Sequence, residues 1–311
     1  MPKIGILLKD KNESHLKIAK NIAKLIDTEI CESICTSNVV VSMDSTSKYL
    51  PYLAIAKLKG SVTAAFIHDI RSISHTYLTA KDAGRSPFEQ RLKRMLSLNL
   101  IKPFIDIPLS PTNVAASIIK TYTRIDPCVV HLGVDLSIYK PIKTLKQDSH
   151  KVILTVATKP HIIKASVSIF RNLRTKAILL IRGPRIVKAP DVFYVQRLPE
   201  HALPRLYSMA DVLLYPSFHE GFGLTVLESM ACGTPVVAFE EPALMEVAGD
   251  AAVFIKPRSL KEAAEALDSA LNDERLLEEL RIRAINRAKE FTWERTVREL
   301  YTCILRRLAQ S

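Results

Sequence analysis

The stretch HEGFGLTVLESMACGTPVV, residues 219–237, sets the reading of the whole chain. Two acids, Glu220 and Glu228, flank a Gly-Phe-Gly turn and the start of an apolar helix. With Leu224 at zero on a wheel of about 3.6 residues per turn, Leu227, Ala231, Met230 and Val226 fill one apolar arc. Glu228 falls at the edge of that arc, beside Leu224 and Thr225. A carboxylate there is costly unless donors reach it, and a ribose carries two hydroxyls that would. The preceding run DVLLYPS (211–217) reads as a buried parallel strand, and ligands of such sheets sit beyond the carboxyl ends of strands. The glycines of FHEGFG let backbone come close to a ligand. The helix, expected over about 224–232, stops at Gly233 with Pro235 just beyond. Its N-terminus turns free N–H groups and a positive dipole end toward the loop, as phosphate binding requires. Either acid alone is better read as a solvated loop acid or the partner of a basic neighbour. The two together, with the glycines and the helix start between them, point to a phosphate-bearing, hydroxyl-bearing ligand.

Outward from this segment the chain alternates short apolar runs with helical stretches. KIGILL (3–8), NVVVSM (38–43), VTAAFIHDI (62–70), FIDIPLS (104–110) and CVVHLGV (128–134) read as strands of a first unit. SHLKIAKNIAKLI (14–26) and PFEQRLKRMLSLNLI (87–101) read as amphipathic helices between them. YKPIKTLKQDSH (139–150) interrupts the pattern as a polar linker. KVILTVAT (151–158), KAILLIRG (176–183), VFYV (192–195), DVLLYPS, PVVAF (235–239) and AAVFI (251–255) then rebuild it, and from 259 the sequence turns helical and charged. Alternation of this kind predicts parallel sheets covered on both faces. Two such units joined by a short linker leave a cleft between them, a common place for a ligand.

At 311 residues and 48% hydrophobic the chain can bury one large or two ordinary cores. No apolar run approaches the roughly 18 residues of a membrane span, and the opening MPKIGILLKD reads as a first strand rather than a leader. Cys31, Cys35, Cys128, Cys232 and Cys303 are odd in number and complete no metal site, so buried free thiols and a cytoplasmic protein are expected. The net charge of +12 is carried mostly by residues 1–150, where 21 Lys and Arg face 13 Asp and Glu. That excess suits an anionic partner, although lysines solvated on helix faces are its usual cause. Aromatics make up 6% and do not interleave with the basic segments, so nucleic acid is not the expected partner.

EGFGLTVLE is an E-x7-E motif, and PSFHEGFGLTVLESMACGTPVVA (216–238) resembles the signature of the retaining GT-B glycosyltransferases of family 4, also called group 1. EVAGDAAVFIKP (246–257) and FTWERTVRELY (291–301) are similar to the mannosyltransferase-like members, and LSPTNVAASII (109–119), HLGVDLSIYKP (131–141) and FIHDI (66–70) resemble segments of the first half. The resemblance implies two Rossmann-like, doubly wound parallel-sheet domains facing a cleft: residues 1–140 on the acceptor side, a linker at 141–150, a donor domain at 151–290, and a C-terminal helix at 291–311 packing back on the first domain. It implies transfer of a hexosyl unit from a nucleotide sugar, with retention and without metal or other cofactor. Glu228 would hold the donor ribose. Glu220, with the backbone of Gly221, Phe222, Gly223 and Leu224 and with Thr225 beside them, would hold the transferred sugar and distal phosphate.

The family's cations, an Arg and a Lys in a GR…K arrangement, fall on VATKPHIIKASVSIF (156–170). Ala157 replaces the glycine, Lys159 stands in for the arginine and Lys164 matches the lysine; both equally suit solvated residues of a helix start. Lysine neutralises a phosphate but lacks arginine's planar fork. IRGPR (181–185) resembles the family's GxGP with Ile181 for its first glycine, so Gly183 is a donor-side candidate, as is Arg197 in VQRLP (195–199). His68 ends a strand, where the family's histidine lies near the donor sugar, and Asp69 reads as a cap. The first loop, LKDKNESHL (8–16), lacks the family's Gly-Gly turn, and Asn12 or Ser14 there reads as a helix cap. Arg91, Lys93 and Arg94 lie among the leucines of 87–101, a pattern of helices that rest on anionic membranes and also of helices packed on a sheet. The resemblance implies a GDP- or UDP-sugar donor and a glycan or lipid-linked acceptor, while the composition points to a cytoplasmic protein, peripheral at a membrane surface only where this helix rests on it rather than packing on the sheet. A nucleotide-sugar epimerase and a non-catalytic nucleotide-sugar-binding module are the rival readings.

Overall fold

The computed structural model describes residues 2–9, 12–68, 96–144, 150–196, 198–218, 220–256 and 259–310. Short runs rich in apolar residues form most of its strands, and Ile4–Leu7, Val39–Ser42, Val212–Tyr215 and Val236–Phe239 are buried along their whole length, as expected where helices cover both faces. The chain divides into two units. The first comprises Met1–Gly133, Glu220–Phe222 and Trp293–Ser311, the second Val134–His219 and Gly223–Thr292.

In the first unit β1 (Ile4–Leu7), β2 (Thr28–Cys31), β3 (Val39–Ser42), β4 (Val62–Phe66), β5 (Ile107–Ser110) and β6 (Cys128–Val129) pair in parallel in the order β2-β1-β3-β4-β5-β6. Between them lie α1 (Glu13–Leu25), α2 (Leu50–Leu58) and α3 (Asn113–Thr123). The Asn12 side chain caps α1 by accepting from the Ser14 N–H, and Thr112 caps α3 by accepting from that of Ala115. The edge strand β2, TEIC, has no signature in the sequence because half of it is polar; its register with β1 forms it, Ile4 opposite Thr28 and Leu7 opposite Cys31.

The second unit repeats the plan. β7 (Lys151–Val156), β8 (Ala177–Arg182), β9 (Val192–Val195), β10 (Val212–Tyr215), β11 (Val236–Phe239) and β12 (Ala252–Ile255) form a parallel sheet ordered β12-β11-β10-β7-β8-β9. Its helices are α4 (Pro160–Arg171), α5 (Leu203–Met209), α6 (Leu224–Ala231), α7 (Pro242–Ala248), α8 (Leu260–Asn272) and α9 (Glu274–Ala288). Ile153, Ile163, Leu179, Val212, Val237 and Leu267 are fully buried together at its centre. The strands wind outward from β7 in one direction and from β10 in the other, so the switch point of this doubly wound sheet lies between β7 and β10. The last helix, α10 (Trp293–Leu308), belongs to the first unit, where it lies against α1.

The cysteines depart from the expectation of free thiols. Cys31 pairs with Cys35, and Cys128 pairs with Cys303 across a separation of 175 residues. Cys232, buried in the second unit, belongs to neither disulfide. The first pair forms because the turn after β2 brings its Cα atoms to 5.7 Å, and the second because α10 brings Cys303 to 6.1 Å from the start of β6. No described helix is long and apolar enough to cross a membrane.

Candidate functional site

In the second unit the site is built at the carboxyl ends of β7 and β10. These strands are neighbours, with Ile153 opposite Val212 and Leu154 opposite Leu213. The chain leaving β7 reaches Lys159, the half-buried N-cap residue of α4, while Lys164 is exposed further along that helix. Gly183 follows β8 and is explained by packing. A Cβ there would stand 2.1 Å from the Ala157 carbonyl oxygen, and the Ala157 N–H donates to the Arg182 carbonyl at 3.1 Å. Only a residue without a side chain lets the end of β8 run this close to the turn that carries Lys159.

The chain leaving β10 passes into α6 through Gly223. This glycine has φ +98°, and a Cβ on it would meet Leu244 Cδ2 at 2.3 Å. Its carbonyl accepts from the N–H groups of Val226 and Leu227, starting the helix. Leu224 and Thr225, both half-buried, supply the first turn, whose N–H groups have no partner within the helix itself. Glu228, one turn on, is only 8% exposed. Its Oε2 accepts a hydrogen bond of 2.8 Å from Tyr207 Oη in α5, and that tyrosine is 1% exposed. Burial pushes the Tyr207 phenol well above its ordinary value, and the neighbouring Glu228 carboxylate pushes it further. The phenol therefore stays protonated and acts as the donor.

The remaining candidates lie in the first unit. His68 is half-buried just beyond β4, and its ring stacks on His15 from α1 at 4.9 Å and on Phe66 at 5.2 Å. Glu220 is half-buried and Phe222 buried. The Gly221 carbonyl accepts from Thr112 Oγ1 at 3.1 Å, and a Cβ on Gly221 would stand 2.8 Å from the His68 carbonyl oxygen. Gly221 thus packs where no side chain fits, between the end of β4 and the cap of α3. Arg197, Asp69 and residues 87–95 of the basic amphipathic stretch lie outside the described residues.

Sequence reasoning misses Tyr207, Thr112 and His15. Thr112 carries the ordinary signature of a helix cap, which hides its second bond to Gly221. Tyr207 and His15 carry no signal of their own, because their partners are 21 and 53 residues away in the chain.

The two strands at the switch point of this doubly wound sheet are followed by two helix starts, a half-buried lysine and a buried carboxylate, residue types that a nucleotide site uses. Comparison with known proteins narrows this: residues 188–291, which contain Tyr207, Gly223 and Glu228, match the sequence family described as glycosyl transferases group 1. Among curated proteins, O-antigen chain mannosyltransferase B of Escherichia coli is 40% identical over 101 residues, 32% of this chain and 26% of that protein. D-inositol 3-phosphate glycosyltransferase of Rhodococcus erythropolis is 30% identical over 207 residues, 56% of this chain and 46% of that protein. The matches thus span less than half the length of either relative. Among solved structures, Anabaena HepE in complex with UDP-glucose superposes with a TM-score of 0.77 at 14% identity, covering 98% of this chain and 99% of that one. Sucrose-phosphate synthase from Thermosynechococcus elongatus gives 0.76 at 13% identity, with both chains covered completely. These likenesses are of fold, and the fold is the GT-B architecture of two Rossmann-like parallel sheets.

Proposed function

We propose that the protein is a retaining hexosyltransferase that moves a mannose-like unit from a GDP- or UDP-sugar to a glycan or lipid-linked acceptor, without a metal. The observation that carries this reading is the buried Glu228 carboxylate, held by Tyr207 one turn into the helix that starts at the switch point. A carboxylate so placed suits the ribose hydroxyls of a nucleotide whose phosphates meet the helix start. When the nucleoside diphosphate departs, the sugar becomes oxocarbenium-like and negative charge grows on phosphate oxygen. Oriented N–H donors and cations stabilise that charge where it develops. In this reading Lys159 and Lys164 supply the cations, Gly183 and Arg197 are further candidates on the donor side, and the backbone of Gly221–Leu224 supplies the N–H donors. Glu220 and His68 act at the transferred sugar.

The mannosyltransferase named among the relatives supports a mannose-like donor, and the neighbour holding UDP-glucose supports a nucleotide sugar. The charge of +12 suits work at an anionic membrane surface. The test is a thermal-shift series against UDP-, GDP-, ADP- and dTDP-sugars without divalent metal, followed by turnover with the donor that responds. Glu228→Ala is expected to weaken donor binding, and Glu220→Ala to suppress turnover more than binding. No shift with any donor at millimolar concentration would refute the reading. Binding without turnover on any acceptor would favour the module that binds but does not react.

A further inference from the structure

Tyr207 touches no part of the ligand in the roles above, yet it donates a hydrogen bond to the carboxylate on which they depend. We propose that Tyr207 is a positioning residue that presets the Glu228 carboxylate for the donor ribose, and that its helix is braced for this purpose. The proposal rests on the reading of Glu228 as the ribose acceptor.

The bracing is visible residue by residue within the second unit. α5 has only seven residues, too few to hold itself. The Tyr207 carbonyl accepts from Thr234 Oγ1 at 2.7 Å, which ties it to the turn after α6. The next residue, Ser208, is held from the other side: its Oγ accepts from the Ile142 N–H at 3.0 Å, and its carbonyl accepts from Thr144 Oγ1 at 3.2 Å. The fully buried Tyr139 ring packs against the Tyr207 ring at 6.3 Å and 57°, and its own hydroxyl reaches Glu200 at 3.5 Å. The phenol therefore has little freedom, and neither does the carboxylate oxygen it holds. Burial adds to this, because water cannot replace the phenol at low cost. A carboxylate already oriented loses less side-chain freedom when a ribose binds.

The test measures binding of GDP and UDP, and of their 3′-deoxy forms, by calorimetry. Tyr207→Phe keeps the ring and its packing and removes only the donor. Wild type should prefer the ribonucleotide by about tenfold or more, the size of one hydrogen bond to a charged group. Tyr207→Phe should lose most of that preference by weakening the ribonucleotide alone. Tyr139→Phe, which leaves the Glu228 bond intact, should keep it. Equal weakening of ribo and deoxy forms in Tyr207→Phe overturns the proposal, since a merely structural role would do that. Glu228→Gln separates the two levels of the argument. If it leaves the preference intact, the ribose reading of Glu228 fails; if it abolishes the preference while Tyr207→Phe does not, only the positioning role fails. Should Tyr207→Phe not fold, Tyr207→Phe with Glu228→Gln removes the buried charge as well. That double variant should bind like Glu228→Gln alone, and clearly weaker binding overturns the proposal.

Discussion

Gly223→Ala is a severe substitution although it adds a single methyl group. The residue has φ +98°, a backbone region that L side chains rarely adopt, and forcing alanine into left-handed backbone costs about 1–2 kcal/mol. The new Cβ would also stand 2.3 Å from Leu244 Cδ2. Leu244 has no exposure and sits in α7, so it cannot swing into solvent. Overpacking of this kind costs about 1–3 kcal/mol. The total is about 2–5 kcal/mol, equivalent to a fall of roughly 4–20 °C in Tm for a chain of this class. Urea and thermal unfolding of the single variant measure it directly. A double-mutant cycle with Leu244→Ala divides it into its two parts. Leu244→Ala alone costs about 2–5 kcal/mol through the cavity it leaves, but it also removes the clash. The double variant should therefore be more stable than the sum of the singles by the overpacking share, about 1–3 kcal/mol, while the backbone share remains. Stability of Gly223→Ala within about 0.5 kcal/mol of wild type, or strict additivity in the cycle, would show that Gly223 is not held by these two constraints.

Two further predictions concern the first unit. Burial pushes the Glu299 carboxyl upward, but hydrogen bonds from the His131 side chain, Arg295 and the His131 N–H outweigh it and hold the group below its ordinary value of 4.5. A depressed carboxylate contributes stability that is fully present above the ordinary value and lost as pH falls through the folded one. Glu299→Gln should therefore lower stability at neutral pH by about 1–3 kcal/mol, with the gap in Tm closing as the pH drops below 4.5; a gap independent of pH contradicts this. The Cys128–Cys303 bridge spans 175 residues, and its loss in Cys128→Ser with Cys303→Ser should cost about 2–4 kcal/mol. Alkylation of the denatured, unreduced protein should modify Cys232 alone, and labelling of all five cysteines would refute both pairings.

What the sequence discloses follows the range of the interaction concerned. Runs such as VVVS and VLLY announce strands buried on both faces, because such a strand carries its environment in its own residues. The edge strand β2 does not, since half of TEIC is polar and only its pairing with β1 makes it a strand. The run CVVHLGV reads as one strand, but only Cys128–Val129 pairs in the sheet, and Val134 instead bridges to Thr292. Cys128 and Cys303 give no sign of each other, because nothing in a sequence fixes a Cα separation of 6.1 Å across 175 residues.

The same distinction divides the candidate site. Helical periodicity alone puts Glu228 at the edge of an apolar face, and the structure finds it nearly buried there. The local pattern thus raises the question of what satisfies that carboxylate, and a polar ligand is the answer it suggests. The fold supplies a second answer, Tyr207, from α5, the helix that precedes β10 in the chain. The two answers are complementary. A carboxylate kept only for structure would be replaced at little cost by an apolar residue, together with its phenol partner, as buried polar pairs often can be. Under the proposed function, an oriented carboxylate one turn into the helix that starts at Gly223 is a group stabilised in advance of binding. Gly183 makes the parallel case: read from sequence as a donor contact, it is required first by the Ala157 carbonyl 2.1 Å from its missing Cβ. In both places the fold first fixes the geometry, through Tyr207 and through the turn at Ala157, and the ligand chemistry depends on what that geometry presents.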